Sequence, residues 1–349
     1  MIGEAVVEFG KPLKRIELDT PKPEGTAVLV RVHHCGVCHS DVHLQDGYFD
    51  IGGGKKLEIR PSMGLPHILG HEIEGEVAAL GPDAKGLTIG QRVIVYPWVG
   101  CNDCPACNRG DEHYCYKPQQ LGVDRPGGFA EYCLLPHPRY LLDYGNAPAA
   151  LAGSYMCSGL TAFSALKKIG NPGKDDPILI VGAGGLGLMG LEFAKALFAA
   201  PVHVADIDPK KREAALKAGA KGAFDPADPN ERKRLMTETG GGVHAAIDYA
   251  GNESSVNFAM SALRRGGKTV VVGLLGGAFT TPIAMFVFRA TGIEGSYLGS
   301  LPEALEMMAL VKAGKVAPIP LTERPLSRAN EALDDLRAGR IVGRSVLKP

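Results

Sequence analysis

Apolar and polar positions along the chain fall into two textures. Up to about residue 150, short Val-rich runs are broken by Gly and Pro: TAVLVRVHHCGV, EIEGEVAALG, QRVIVYPWVG and FAEYCLLP. Such runs predict the short strands of an irregular all-β domain. From about residue 175, a buried strand is each time followed by a helix-length segment. PILIVGAGG precedes LGLMGLEFAKALFAA, PVHVADID precedes PKKREAALKAGA, AAIDYAG precedes ESSVNFAMSALRRGG, and KTVVVGLLG follows. Apolar strands separated by helical crossovers predict an α/β domain with a parallel sheet. The amphipathic LPEALEMMALVKAG and the tail IVGRSVLKP could add to either part. With 349 residues, the chain suits two domains.

Composition narrows the classes of partner. Lys and Arg total 38 and Asp and Glu 38, so nothing electrostatic points to nucleic acid or an anionic membrane. The N-terminus lacks an apolar run long enough for a signal peptide. The longest apolar stretch, ILIVGAGGLGLMGL, is shorter than the ~18 residues a spanning helix needs. A cytoplasmic location is expected. Eight cysteines in a reducing compartment argue for metal ligands or catalysis over disulfides.

The stretch HHCGVCHSDVH, residues 33–43, supports three readings: a C-x-x-C-H haem attachment, a redox dithiol of Cys35 and Cys38, or half of a metal site. The missing export signal weakens the first. A second cluster is less ambiguous. Cys101, Cys104, Cys107 and Cys115 form a C-x2-C-x2-C-x7-C string, and four thiolates in one loop can close a tetrahedron around zinc with no position open. An iron–sulfur cluster uses similar spacings, but no electron-transfer context accompanies them. By themselves His71, between Gly70 and Glu72, and Cys157, before a helix, are weaker signals.

GAGGLG at 182–187 follows a strand and opens a helix, the context of a dinucleotide fingerprint. Gly182 permits the tight turn, Gly184 lets a pyrophosphate approach the backbone, and Gly187 allows close helix–sheet packing. Gly185 and Leu186 open the helix whose free N–H groups and partial positive charge suit phosphates. Asp206 ends the next strand, where a carboxylate accepts hydrogen bonds from both ribose hydroxyls of NAD and repels the 2′-phosphate of NADP. Lys211 could reach the adenosine ribose. The plainer role for Asp206 is to cap the helix at Pro209.

Together these features resemble the zinc-dependent, medium-chain alcohol dehydrogenases, and the match runs from end to end. Gly70-His71-Glu72-x2-Gly75-x5-Gly81 is similar to that family's zinc signature. Gly36-Val37-Cys38-His39-Ser40-Asp41 resembles its first ligand loop, most like the yeast and bacterial forms. The four-Cys loop resembles its structural zinc lobe, with Gly127-Gly128-Phe129-Ala130-Glu131-Tyr132 as the strand after it. Cys157-Ser158-Gly159-Leu160-Thr161 matches the third ligand segment, and Gly343-Arg344-Ser345-Val346-Leu347 the last strand.

The resemblance implies a GroES-like irregular β-barrel catalytic domain over 1–152, completed by 297–349, and a Rossmann NAD-binding domain over 153–296. It implies two zinc ions per chain: a catalytic ion on Cys38, His71 and Cys157, and a structural ion on Cys101, Cys104, Cys107 and Cys115. It also implies that Asp41 orients the His71 ring, that Glu72 lies behind the metal near Arg344, and that Arg344 approaches the cofactor pyrophosphate. His39 would contact phosphate, with Thr161, Val272 and Gly273 on the nicotinamide side. The implied activity is reversible oxidation of primary or secondary alcohols to aldehydes or ketones by hydride transfer from a zinc-bound alkoxide.

Elementary chemistry agrees. Zinc lowers the pKa of bound water steeply, to about 7, and an alcohol should respond similarly. The proton must then leave. Ser40 and His43 are placed to relay it through the ribose hydroxyls to solvent, a role that suits the histidine side chain in general.

Some segments depart from the family pattern. Between Cys38 and His71 the chain is longer than in the yeast-like forms; this loop is either a border of the substrate entrance, with Tyr48 and Phe49 as residues that could reshape the pocket, or a solvent-exposed flap. Trp98 stands where the family often lines its pocket. Gln91 follows Gly90 where an Asp is common. Polyol and threonine dehydrogenases usually lack a Cys as third ligand, so Cys157 favours simple alcohols. The short chain between the structural loop and GGFAEY resembles tetrameric bacterial forms, so a homotetramer is expected, with a dimer as the alternative. Two competing functions stand beside this one: a dehydrogenase for bulky aromatic or cyclic alcohols, and a zinc- and nucleotide-binding protein without catalysis.

Overall fold

A computed structural model describes residues 1–59 and 63–349, which form two compact units. Residues 60–62 of the long loop before His71 lie outside the described residues.

The first unit comprises Met1–Tyr48, Glu58–Leu160 and Gly299–Pro349. Its main sheet orders the strands Leu141–Leu142, Arg92–Val95, Glu72–Leu80, Val28–Val37, Arg344–Lys348 and Leu321–Pro325, with Tyr132–Leu135 pairing onto Val28–Val37. Pairing is antiparallel except between the last two strands. A smaller sheet joins Lys14–Glu17, Ile2–Val6 and His67–Ile68. Val28, Val30, Val32, Ile73, Val77, Val93 and Val346 of the main sheet are buried in the core.

Register places the chemistry. Gly36, near the end of the central strand, lies opposite Glu72 on one neighbour and Val346 on the other. Any Cβ at Gly36 would collide with the Glu72 side chain, so the absence of a side chain there lets Glu72 sit against the strand end. Cys38 follows directly as the N-cap of the helix His39–Asp46.

The second unit comprises Phe49–Leu57 and Thr161–Leu298. Its six strands are parallel and ordered Gly222–Phe224, Val202–Ala205, Ile178–Val181, Val243–Asp248, Leu263–Val271 and Gly292–Gly295. In chain order that is 3-2-1-4-5-6, the doubly wound Rossmann arrangement, whose crevice lies at the carboxyl ends of the first and fourth strands. Ile178–Val181 and Val202–Ala205 are buried throughout, as strands covered on both faces must be.

Three features differ from the sequence expectation. Leu263-Arg-Arg-Gly-Gly, placed with the helical segment above, begins the strand Leu263–Val271; Gly266, at φ 76°, turns the chain before the β-branched run takes over. The strand Gly222–Phe224 and helix Pro229–Glu238 had no apolar signature, because only Leu235 of that helix is buried. Phe49–Leu57, expected within the N-terminal domain, groups with the second unit, where Gly52 packs directly on the backbone of Gly277 and Ala278.

No single helix long and apolar enough to cross a membrane occurs among the described residues. A bent pair, Ala149–Met156 and Ser158–Lys167, passes on length and composition, yet Leu151, Tyr155, Leu160 and Phe163 are buried within the protein.

Candidate metal centres and nucleotide site

Cys38, His71, Glu72 and Cys157 converge, with one donor atom from each lying within 4.8 Å of all the others. They come from a helix N-cap, the residue before a strand, the strand's first residue, and the bend before the helix Ser158–Lys167. The Cys38 and Cys157 sulfurs are 3.9 Å apart. Asp41 Oδ2 accepts the Cys38 backbone N–H at 2.8 Å, Asp41 Oδ1 accepts that of Gly70 at 3.1 Å, and the same Oδ1 lies 3.4 Å from His71 Nδ1. One buried carboxylate therefore caps the helix and fixes the turn that carries His71.

The Cys157 thiol beside Cys38, helped by His71, holds Cys38 well below the ordinary thiol range in spite of burial. Its neighbour Cys157, beside that incipient thiolate and buried, is pushed up. Burial opposes charge on His71, but Asp41 and Cys38 outweigh it and raise its pKa. Both ring nitrogens of His71 are buried without a hydrogen-bond partner, which a deeply buried imidazole tolerates poorly. Two cysteine sulfurs and an imidazole whose ring nitrogens lack hydrogen-bond partners form a donor set suited to zinc. Behind them Glu72 Oε1 accepts from Arg344 Nη2, a buried pair whose Glu72 Oε2 and Arg344 Nε have no partner.

Trp98, almost fully buried, faces His71 with ring centroids 5.3 Å apart and donates its indole N–H to the Met156 carbonyl at 2.9 Å. Ser40 Oγ lies 3.8 Å from Cys38 Sγ. His39, Ser40 and His43 occupy the helix His39–Asp46 at positions that share one face by their spacing. Cys35 stands apart from the cluster: it is fully buried against Gly70, Gly128 and Ile73, and burial raises its thiol.

The second thiol cluster is Cys101, Cys104, Cys107 and Cys115, again within 4.8 Å of one another. Backbone N–H groups of Cys101 and Lys117 point at Cys115 Sγ at 3.2 and 3.3 Å, and that of Cys104 at Cys101 Sγ at 3.4 Å. Such donors favour thiolates: backbone N–H groups bring Cys104 down to about 6, while burial pushes Cys107 up to about 12. Asn102 adopts a left-handed φ of 62° within this turn. None of the eight cysteines forms a disulfide.

In the second unit Gly182 follows the strand Ile178–Val181, and Gly184 is the N-cap of the helix Gly185–Leu197, which Leu186 and Gly187 continue. A Cβ on Gly184 would meet open space, whereas one on Gly187 would strike the Gly182 carbonyl. Those two glycines thus have different reasons, an open cradle at the helix N-terminus and a close chain crossing, and the cradle fits a dinucleotide phosphate. Asp206 is buried and its carboxylate is fixed by two backbone donors, Ala183 N–H at 2.7 Å and Asp208 N–H at 2.8 Å. Helix capping at Pro209 belongs to Asp208, which accepts from Lys210 N–H, so Asp206 is not that cap. Lys211 is half-buried on this helix, and Thr161 lies buried on the helix Ser158–Lys167.

Asp248 went unrecognised in the sequence. At the end of the fourth strand it accepts from Ala250 N–H (2.9 Å), Gly251 N–H (3.1 Å) and Ser255 Oγ (2.8 Å), while its carbonyl accepts from Val272 and Gly273 N–H at 2.9 and 3.0 Å. It thereby sets the loop in which Val272 and Gly273 sit. An Asp closing an apolar strand carries no signal for this.

The fold and paired thiol clusters are those of the zinc-dependent medium-chain alcohol dehydrogenases, and the chain belongs to that family. The alcohol dehydrogenase GroES-like domain matches residues 24–144 and the zinc-binding dehydrogenase domain residues 185–313. The chain is 37% identical over 348 residues to an NAD-dependent alcohol dehydrogenase of Sulfurisphaera tokodaii, covering 99% of each. It is 35% identical over 353 residues to an alcohol dehydrogenase of Geobacillus stearothermophilus, covering 100% of this chain and 99% of that one. The crystal structure of the Aeropyrum pernix alcohol dehydrogenase superposes with a TM-score of 0.89 at 30% identity, covering 100% of both chains.

Proposed function

We propose that this chain oxidises primary or secondary alcohols reversibly to aldehydes or ketones, with NAD as hydride acceptor and zinc as the activating metal. The observation that carries the proposal is the convergence of Cys38, His71 and Cys157 with Asp41 behind the ring. We assign the catalytic zinc to those three residues and a second, structural zinc to Cys101, Cys104, Cys107 and Cys115. The open-site metal, when bound, supplies a Lewis acid that makes an alcohol hydroxyl acidic near neutral pH.

The remaining work falls to the chain's own residues. Asp41 orients His71, and the Glu72–Arg344 pair closes the rear of the donor set. Ser40 takes the hydroxyl proton, and His43, one helical turn on, passes it outward. Gly182, Gly184 and the N–H groups of Gly185, Leu186 and Gly187 receive the pyrophosphate, with His39 and Arg344 as further phosphate contacts. Asp206 accepts from the adenosine ribose, Lys211 adds a donor there, and Thr161, Val272 and Gly273 border the nicotinamide. Trp98 lines the alcohol pocket.

We extend the proposal to assembly and location. The helix Ile283–Arg289 has no buried residue and exposes Ile283, Val287 and Phe288, and the strand after it, Gly292–Gly295, is the sheet's edge. Exposed apolar side chains beside an open strand edge support association of copies, and we expect a tetramer. Eight cysteines, none of them in a disulfide, support a cytoplasmic location.

A panel of primary, secondary and cyclic alcohols, followed by NADH absorbance with and without a zinc chelator, tests the proposal. Chelator-sensitive NADH formation is expected. No NADH from any member with zinc-replete protein would overturn it.

A further inference from the structure

The following inference rests on the assignment of Asp206 to the adenosine ribose. A single carboxylate is a thin barrier to a 2′-phosphate here, because the next helix, Pro209–Lys217, carries Lys210, Lys211 and Arg212 in its first turn. Among these the guanidinium is the group best shaped to bind phosphate, through paired N–H donors.

Its present partners hold it elsewhere. Arg212 Nη1 donates to the carbonyl oxygens of Asp206 at 2.7 Å and Ile207 at 3.0 Å, and to Asp225 Oδ2 at 3.0 Å. Asp225 follows the strand Gly222–Phe224, the neighbour of the strand that ends before Asp206. That carboxylate is fixed in turn, since its Oδ1 accepts the Ala227 N–H at 2.9 Å. Both side chains are largely shielded, with 22% and 29% of their surface exposed, so the ion pair is screened less than a surface pair.

We infer that Asp225 is a second determinant of NAD over NADP, a positioning residue that pins Arg212 to the Asp206–Ile207 backbone and neutralises it. Asp206 repels the 2′-phosphate directly; Asp225 withholds the cation that would reward it. Asp206 alone therefore does not set the whole of the selectivity.

The test measures binding rather than turnover, on the full-length, zinc-replete protein. NADH and NADPH affinities are read by fluorescence, and adenosine 2′,5′-bisphosphate by calorimetry. Asp206→Ser should weaken NADH and improve NADPH only slightly. Adding Asp225→Asn should tighten NADPH and the bisphosphate by about tenfold more, the scale of one released charge-assisted contact, with little further change for NADH. Adding Arg212→Gln as well should abolish that gain. The inference is overturned if the double variant binds NADPH no tighter than Asp206→Ser, or if the gain survives loss of Arg212. Should Asp225→Asn fail to fold, Asp206→Ser/Arg212→Gln decides: it should match Asp206→Ser for NADPH, and a loss of about fivefold or more would mean Arg212 already serves the phosphate. Wild-type discrimination persisting in Asp206→Ser would instead overturn the ribose assignment itself.

Discussion

Replacing Asp41 by Asn removes one charge and almost no volume from the centre of the proposed catalytic site. Both carboxylate oxygens are occupied, one by the Cys38 N–H, the other by the Gly70 N–H with His71 Nδ1 close by. An amide offers one oxygen and one NH2, so whichever way it turns, a buried N–H faces another donor. One unpaired buried group costs about 1–3 kcal/mol, and the remaining bond loses its charge assistance, so the sum is roughly 2–4 kcal/mol of stability. His71 loses its anchoring anion at the same time, and loss of such outer partners weakens metal binding by about 10–100-fold. Competition with a chromogenic chelator reads the zinc affinity, and urea unfolding reads the stability. Asp41→Asn should release one zinc per chain about 10–100-fold more readily while the four-Cys site keeps its own. Zinc affinity within about threefold of wild type, with unchanged stability, would refute the orienting role.

Three further substitutions have defined outcomes. Cys104→Ser should lower zinc content by one ion per chain and lower the melting temperature, while NADH binding persists; elemental analysis with calorimetry checks it. Ser40→Ala should cut kcat by about tenfold or more with NADH affinity little changed, and near-normal turnover would remove Ser40 from the proton path. Burial raises the pKa of Glu74, but hydrogen bonds from His34, Arg92 and Tyr144 outweigh it and hold the carboxyl below its ordinary value. Its stabilisation is complete above the unfolded value near 4.5 and fades as pH falls through the lower folded value. Glu74→Gln should therefore be less stable than wild type at pH 7, with the gap closing below about pH 4 in urea titrations.

Legibility followed how local each signal was. The four-Cys loop and the GAGGLG turn could be seen because their residues are neighbours in sequence and their spacing carries the geometry. Cys157 and His71, 119 and 33 positions beyond Cys38, were informative only through family resemblance; no periodicity links a strand start to a bend before a helix. Asp41 has two duties, cap and ring anchor, and the sequence suggested the second only by resemblance. Asp248 and the Arg212–Asp225 pair were invisible because each acts through backbone groups that only the folded sheet brings near. The charged helix Pro229–Glu238 was missed for a related reason: with one buried residue it has almost no apolar stripe to detect.

The central claim is that an open zinc site on Cys38, His71 and Cys157 drives alcohol oxidation by NAD. Its most direct test is zinc content measured beside alcohol-dependent NADH formation in wild type and Cys157→Ala. The account predicts two zinc ions per chain in wild type and one in the variant, with NADH formation lost and NADH fluorescence binding retained. A variant that keeps both zinc ions, or that turns over like wild type, would contradict it.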